Sequence, residues 1–500
     1  MSSTTTRRAS GRRPTPRRPR LRVAIIGSGF GGIALAVKLQ RRTSAEFTIF
    51  EQASGIGGTW FENRYPGCEV DIPSHAYSFS FVKHDWPRTH ATQPELLAYA
   101  NDVVDRFGLR PHVRLETKVE RVEWSDADRT YAVHASDGTS ERFDFVVSAV
   151  GLLNVPRYPD WPGLEEFEGV RFHTSRWEHG HDLAGKRVAV VGTGSTAAQV
   201  VPALAPEVGE LTVYQREPGW IEPKRERAYT ARERWTYRHV PFAQRIHRAY
   251  QFAVAGRRFK ANDVESSRQR EMRQLCTDYI AETVHDPQTR AALTPDYPWG
   301  CKRPIVATTY YPAFNRPNVE LVPHAVMRVT KDGIVDATGT ERKVDVLVLS
   351  TGFQPQQFLA NLRVRGTGGR DLHDAWAQRA TAFLGITVPD FPNFFILYGP
   401  NTNGGTSIIA QLERQAEVAV AAIRRIERSS SRVVDTDAAA TTRWVEWIDE
   451  QLDTHASAMS SGCTNYYTVA SGANVTQWPR THLVYLLRTR LTRGRGLRFR

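Results

Sequence analysis

Arg22-Val23-Ala24-Ile25-Ile26-Gly27-Ser28-Gly29-Phe30-Gly31-Gly32 sets an apolar run against a glycine turn, and helical character follows to about Arg42. The run reads as a buried strand, the turn as G-x-G-x-x-G, and Phe47 to Phe50 as the next strand, which together make a βαβ unit. Glycine at Gly27, Gly29 and Gly32 permits the tight turn, the approach of backbone to a pyrophosphate, and the packing of helix on sheet. The helix N-terminus then faces the phosphates. Glu51 ends the second strand, 24 residues after Gly27, where a carboxylate can accept hydrogen bonds from both ribose hydroxyls.

Working outward, a second unit runs through the strand Arg187 to Val191, the turn Gly192-Thr193-Gly194-Ser195-Thr196-Ala197, a helix to about Leu204 and the strand Leu211 to Gln215. Alanine in the third place is accepted by the dinucleotide pattern. This strand leads into Arg216 rather than an acid, and a guanidinium there suits a 2′-phosphate, favouring NADP over NAD. Glu217, next in line, either repels that phosphate or points to solvent. Two dinucleotide sites in one chain invite electron transfer between a diffusible nicotinamide and a tightly held flavin. The expected fold is α/β, with two Rossmann-like dinucleotide-binding domains and a helical insertion.

The chain has 500 residues, 41% of them apolar and 10% aromatic, enough for packed cores in more than one domain. A net charge of +13 would suggest a nucleic-acid partner, but seven arginines lie in residues 1–20 and six in 481–500, which leaves residues 21–480 formally neutral. Binding of nucleic acid or an anionic surface through these ends is therefore at most a side activity, and no specific nucleic-acid partner is expected. Cys68, Cys276, Cys301 and Cys463 show no close pairing, which argues against a disulfide scaffold, a zinc ribbon or a CxxC redox centre. No apolar stretch reaches the roughly 20 residues that span a bilayer, and the Arg-rich start lacks a secretory core, so a cytoplasmic protein is expected. His179 and His181 have no third ligand at convincing spacing, and no metal is expected.

Gly57-Gly58-Thr59-Trp60-Phe61-Glu62-Asn63-Arg64-Tyr65-Pro66-Gly67-Cys68-Glu69-Val70-Asp71 resembles the string GGxWxxxxYPGxxxD of the class B flavin-dependent monooxygenases, in their Baeyer-Villiger branch, and matches it in full. A second family pattern, FxGxxxHxxxW, is met by Phe167, Gly169, His173 and Trp177, with Glu178 in place of the following Pro or Asp. Lys302-Arg303-Pro304, Ser350-Thr351-Gly352-Phe353, Phe391-Pro392-Asn393 through Gly399-Pro400-Asn401, and Gly472-Ala473-Asn474 with Trp478-Pro479 extend the similarity over about residues 21 to 485.

That resemblance implies an enzyme with FAD and NADPH as cofactors and O2 and a ketone as substrates. In this family NADPH reduces the flavin, oxygen adds to it, and a flavin C4a-peroxide attacks the carbonyl to give an ester or lactone. It implies Arg303 and Asp71 as the catalytic pair, a fixed cation for the anionic steps and the carboxylate that orients it. For FAD it implies the first turn with Phe30, then Glu51, Thr59, Trp60, Phe61, Glu62, Asp71, Tyr77 and Val119. For NADP it implies Glu69, Val70, Asp71, Thr193, Gly194, Ser195, Thr196 and Gln199, with Arg216 and Lys302 around the 2′-phosphate. Tyr466 stands where relatives commonly carry Trp, a departure that bears on coenzyme affinity. His173 and Trp177 are implied as a linker between the nucleotide domains. Trp299, Phe353 and Tyr466 are candidates for lining the substrate cavity. A sibling activity, oxygenation of nitrogen or sulfur on the same fold, is the enzymatic alternative, with Arg303 and Asp71 favouring the ketone reaction.

These readings divide the chain into a basic tail expected to be disordered (1–20), a discontinuous FAD-binding domain (21–152 and 356–487), a discontinuous NADP-binding domain (153–222 and 299–355), a helical insertion (223–298), and a loose basic C-terminal tail (488–500).

Overall fold

Val23 to Ile26 are all buried, as expected for a parallel strand covered on both faces. In the computed structural model, which describes residues 19–404, 407–458 and 465–500, that strand is the centre of one of two similar sheets. The chain lays down β1 (Arg22–Ile26), α1 (Phe30–Arg42), β2 (Glu46–Phe50), α2 (Gln93–Arg106), β3 (Val113–Arg114) and β4 (Phe145–Ser148). It continues with β5 (Val170–His173), β6 (Arg187–Val191), α3 (Ala197–Leu204) and β7 (Glu210–Tyr214). Four helices follow, α4 (Ala231–His239), α5 (Ala243–Arg258), α6 (Ser267–Thr283) and α7 (Pro287–Leu293). Then come β8 (Val319–Val322), β9 (Val346–Leu349), β10 (Phe394–Ile396), α8 (Ile408–Glu427), α9 (Ala438–Leu452) and α10 (His482–Gly496).

The first sheet has the order β10-β4-β1-β2-β3 and the second β5-β9-β6-β7-β8, all pairs parallel. The plans coincide: each glycine turn leaves the central strand, and its helix returns to the neighbour on one side. The strand on the other side closes a crevice at the carboxyl ends, where nucleotides bind in such sheets. Helix α1 buries Ile33, Leu35 and Leu39, while α8, whose buried face includes Ile409, Leu412, Ala416 and Ile423, packs beside it. Lys38 and Glu417 form an ion pair at 3.0 Å in that seam.

Residues 223–298 are helical as expected, and they dock onto the segment before α2. His75 packs its ring on Tyr229, Tyr237 and His247, Asp85 pairs with Arg234 at 2.7 Å, and Arg248 Nη1 donates to the His75 carbonyl at 2.9 Å.

The C-terminus departs from its expected looseness. Arginine-rich composition masks the apolar Leu497 and Phe499, which form a strand antiparallel to Val434–Thr436. Two acids on or beside that strand receive the arginines, Arg498 to Asp437 at 2.7 Å and Arg500 to Asp435 at 3.1 Å. Of the expected disordered N-terminal tail, residues 1–18 lie outside the described residues.

Candidate active site

Each turn depends on a glycine that no other residue could replace without strain. Gly27 has φ +105°, and a Cβ there would lie 2.6 Å from the Ala149 carbonyl oxygen; Gly192 has φ +116° and a Cβ would lie 2.3 Å from that of Ser350. Both contacts are with the strand on the far side of the crevice, so the turns are pressed into it. Gly29 and Gly58 face each other across a slot in which a Cβ on Gly29 would meet only the Gly58 Cα, at 3.6 Å. Gly194 faces open space.

No side chain closes the start of either helix that leaves these turns, although in α3 the Ala198 and Gln199 N–H groups already donate to the Gly194 and Thr196 carbonyls. Neither α1 nor α3 has a side-chain cap or an acid in its first turn, whereas Thr92 with Glu95 and Thr230 with Glu233 close the starts of α2 and α4 as capping boxes. Free N–H groups at a glycine turn suit a pyrophosphate. These features fit FAD at the first turn and NADP at the second.

Around the first turn the structure gathers most of the residues expected there. Glu51 is buried and accepts hydrogen bonds from Ser28 N–H and Oγ–H at 2.8 and 2.7 Å and from Ala53 N–H at 2.9 Å. Phe30, Trp60 and Tyr77 meet edge to face at 5.8 to 5.9 Å between centroids. Thr59 and Phe61 lie on the short helix Thr59–Glu62, and Val119 is buried just past Thr117, whose N–H donates to the Glu51 carbonyl. Glu62 turns elsewhere: its carboxylate pairs with Arg176 at 2.6 Å, in the segment between His173 and Trp177.

Asp71 and Arg303 meet although 232 residues separate them, Arg303 Nη2 donating to Asp71 Oδ2 at 2.7 Å. The Asp71 side chain is 18% exposed and that of Arg303 43%, so the carboxylate is sheltered while the guanidinium can reach a reactant. The Asp71 negative charge raises the Arg303 pKa further above its ordinary value, which keeps the cation permanent. Burial would push the Asp71 carboxyl up, but the Arg303 charge and hydrogen bond outweigh it and hold it below the usual carboxylate range. Tyr466 and Tyr467 act electrostatically on Arg303, and Tyr398 feels Arg303, Tyr77, Tyr466 and Asp71 together.

Tyr398 was not singled out from the sequence. It holds φ +66°, unusual for an aromatic residue, with its hydroxyl donating to Asn403 Oδ1 at 2.7 Å and its N–H to Gln415 Oε1 at 2.8 Å. The motif that contains it, Phe391 to Asn401, was legible, and Asn393 and Asn401 also have positive φ. Asn401 Nδ2 donates to the Asn474 carbonyl at 2.8 Å, which ties this motif to Gly472-Ala473-Asn474.

Between the sheets, Gln199 on α3 grips the fifteen-residue string. Tyr65 Oη donates to its Oε1 at 2.9 Å, and its Nε2 donates to the Glu69 carbonyl at 3.0 Å. Glu69 pairs with the buried Lys224, which also pairs with Glu226 at 3.2 Å; Lys224 was likewise not expected from the sequence. Val70 is buried, its N–H on the Ala91 carbonyl. At the second turn, Ser195 and Thr196 immediately precede α3, Arg216 is exposed, and Lys302 Nζ is paired with Glu217. Glu217 is therefore exposed but paired.

His173 ends β5 buried, with Nδ1 accepting from Ser175 N–H at 3.1 Å and Nε2 donating to the Gly352 carbonyl at 3.0 Å; Trp177 packs on Phe172. Trp299 is core rather than cavity wall, clustered with Trp220, Met272 and Cys276, while Phe353 packs on the His173 ring. Cys301 is bonded in a disulfide, which the cysteine spacing did not foretell, and Cys68 and Cys276 are free and buried. Among the described residues no cluster of three His, Cys, Asp or Glu side chains could hold a metal, and no helix is long and apolar enough to cross a membrane.

A family model described as pyridine nucleotide-disulphide oxidoreductase matches residues 24–240. Dithiol chemistry does not follow from that likeness, because Cys68 is the free cysteine beside the first turn and burial pushes its thiol up to about 12. A Baeyer-Villiger monooxygenase of Streptomyces coelicolor is 39% identical over 94% of this chain and 91% of its own length. One from Pseudomonas aeruginosa is 37% identical over 94% and 90%. Among solved structures, cyclohexanone monooxygenase from Rhodococcus sp. Phi1 bound to NADP+ superposes with a TM-score of 0.86 at 31% identity, covering 97% of this chain and all of that one. OTEMO in complex with FAD and NADP superposes with a TM-score of 0.86 at 27% identity, over 96% of this chain and all of its own.

Proposed function

The chain belongs to the Baeyer-Villiger monooxygenases, enzymes that use FAD and NADPH, and on that premise we propose that Asp71 and Arg303 form the pair at which its ketone substrate reacts. In the overall reaction NADPH gives two electrons, one atom of O2 enters the bond beside the carbonyl, and the other leaves as water. FAD, when bound, supplies the oxygen-transferring chemistry. The protein holds charges, orients reactants and excludes water.

Arg303 stabilises the negative charge that develops on oxygen at the carbonyl, and it does so as a cation whose proton Asp71 makes harder to remove. Asp71 stays ionised and aims the guanidinium. Tyr77, Tyr398 and Tyr467 give the pair a largely apolar surround, and burial keeps all three phenols protonated. We assign FAD to the first turn with Glu51 and the 59–62 helix, and NADP to Thr193–Thr196 with Arg216 and Lys302. His173 and Trp177 serve as the linker between the two nucleotide bodies, 21–152 with 356–487 and 153–222 with 299–355. A cytoplasmic setting goes with this reading, since both NADPH and its reduction supply are there.

The 2.7 Å contact between Arg303 and Asp71 carries the proposal. The test is to incubate FAD-loaded protein with NADPH, 18O2 and a panel of cyclic and open-chain ketones beside sulfides and amines. Esters or lactones carrying one labelled atom are expected. Abundant sulfoxide or hydroxylamine without any ester would overturn the assignment.

A further inference from the structure

Two neighbouring helices carry regular rows of exposed apolar side chains. Phe242, at the start of α5, then Ile246 and Tyr250 recur every four residues and are 62 to 68% exposed; on α10, Leu483, Leu487 and Leu491 do the same at 46 to 71%. A spacing of four keeps each trio on one face of its helix. Single apolar groups on a surface need no explanation, but two such rows do. The helices meet where the Phe252 and His482 rings lie 5.2 Å apart and where a Cβ on Gly256 would lie 3.9 Å from Thr481 Cγ2. Phe252 and Gly256 share a row with the exposed Ala249, next to the row of Ile246 and Tyr250, so the contact with α10 borders the exposed face of α5. Trp235 on α4 is exposed as well, its ring stacked on His239.

Neither α5 nor α10 contains an acid, and each contains four arginines. Arg248 turns inward to the His75 carbonyl, Arg258 pairs with Glu222 and Arg488 covers the Trp447 ring, but Arg245, Arg257, Arg490 and Arg495 are exposed. The acids nearest in the fold, Asp85 and Glu233, are already paired with Arg234 and Arg227. From this arrangement we propose that α5 and α10 form a face that lies on the surface of an anionic lipid bilayer, with the apolar rows at the boundary of headgroups and acyl chains and the arginines on lipid phosphates. A second copy of the chain suits this face poorly, because it sets arginine against arginine with no acid between. An anionic bilayer supplies both the apolar layer and the opposite charge. Tyr250 and Trp235 are the amphipathic aromatics that such a boundary favours. No described helix is long and apolar enough to cross a membrane, so the protein rests on the bilayer without spanning it. None of these residues belongs to the Asp71 and Arg303 site, and the face gives the enzyme a location, not a chemical step.

The test is flotation of the FAD-loaded full chain with vesicles of phosphatidylcholine alone and of phosphatidylcholine mixed equally with phosphatidylglycerol, at low and high salt. The wild type is expected to float with the mixed vesicles and not with the neutral ones, and to come off as salt rises. Two variants, one with Leu483→Gln, Leu487→Gln and Leu491→Gln and one with Ile246→Gln and Tyr250→Gln, are each expected to weaken partitioning by about tenfold or more. Their melting temperature and their NADPH oxidation with a ketone in vesicle-free buffer should hold, because the replaced side chains are exposed. Should either variant melt early, the dependence of the wild type on lipid charge and salt still decides. A wild type that stays off the mixed vesicles, or binds neutral ones equally well, overturns the proposal. So does undiminished binding by both variants, which the arginines of residues 1–20 would give by themselves. A dimer in solution that the leucine variant turns into a monomer would assign the face to a second copy and overturn it too.

Discussion

The two glycine turns use one backbone device and two opposite electrostatic settings. In the first, the carboxylate that follows the second strand is buried and committed to the turn itself, with Ser28 and Ala53 as donors. In the second, Gln215 stands in that place, and the next acid, Glu217, is exposed and balanced against a lysine from a distant segment. A site built the first way suits a resident cofactor that never leaves. One built the second way suits a ligand that exchanges, because its charges can be re-paired without opening the core.

Removing the ion pair of Asp71 with Arg303, which joins the string after the first turn to the Lys302-Arg303-Pro304 segment, should have the largest effect. Arg303→Ala is expected to lower the rate of ester formation by about 10²–10³, the usual loss for one anion-stabilising donor. FAD content, NADP+ affinity and melting temperature should hold. A variant that forms ester at the wild-type rate would mean that the two turns cooperate without Arg303.

Next in size is the contrast between the two carboxylates. Glu51→Ala leaves the two buried Ser28 donors, and the half-buried Ala53 N–H, facing no acceptor, at about 1–3 kcal/mol for each buried donor left unpaired, and chemical denaturation should show a clear loss of stability together with poor FAD retention. Glu217→Ala should change stability by less than about 0.5 kcal/mol, as an exposed ion pair does. Equal losses would erase the distinction. A finer version compares neighbours within the second turn. Gly192→Ala forces a Cβ to 2.3 Å from the Ser350 carbonyl oxygen and should destabilise the second sheet. Gly194→Ala adds a Cβ that meets nothing within 4 Å and should leave unfolding unchanged while weakening NADP+ binding.

Sequence made the local half of this comparison legible and hid the rest. The strand and helix limits of both turns came from apolar runs and glycine spacing, and the structure places them within a residue or so. Asp71 and Arg303 were legible as members of motifs. What was not legible depends on partners far apart in the chain: Lys224 with Glu69, Gln199 with Tyr65, Glu217 with Lys302, and Arg498 with Asp437. Periodicity reports which face an element buries, and it contains no information about which of many exposed acids an arginine will find. Trp299 shows the same limit from the other side, since an aromatic residue near a catalytic motif looks the same in sequence whether it lines a cavity or fills a core.

The smallest expected effect concerns pH, and it distinguishes the linker from both turns. His173 is buried as a neutral ring with its hydrogen bonds in a fixed sense: Nδ1 must accept from the Ser175 N–H, so the proton sits on Nε2 and is donated to Gly352. A second proton would set two donors against each other at Nδ1. Burial first, aided by the Arg176 charge, lowers the His173 pKa to about 4, despite the favourable bond to Gly352. Above an ordinary histidine value of about 6.5 the ring is neutral in both folded and unfolded chains, and pH has no leverage through it. As pH falls from there toward 4, the unfolded chain takes up a proton that the folded chain refuses, so stability declines across that window and levels off below it. Urea unfolding at several pH values between 7 and 4 should show this decline, and His173→Gln, which cannot titrate, should make it shallower. An unchanged slope in that variant would assign the acid sensitivity to other buried histidines, such as His75 against the helical insertion, where burial lowers the pKa to about 3.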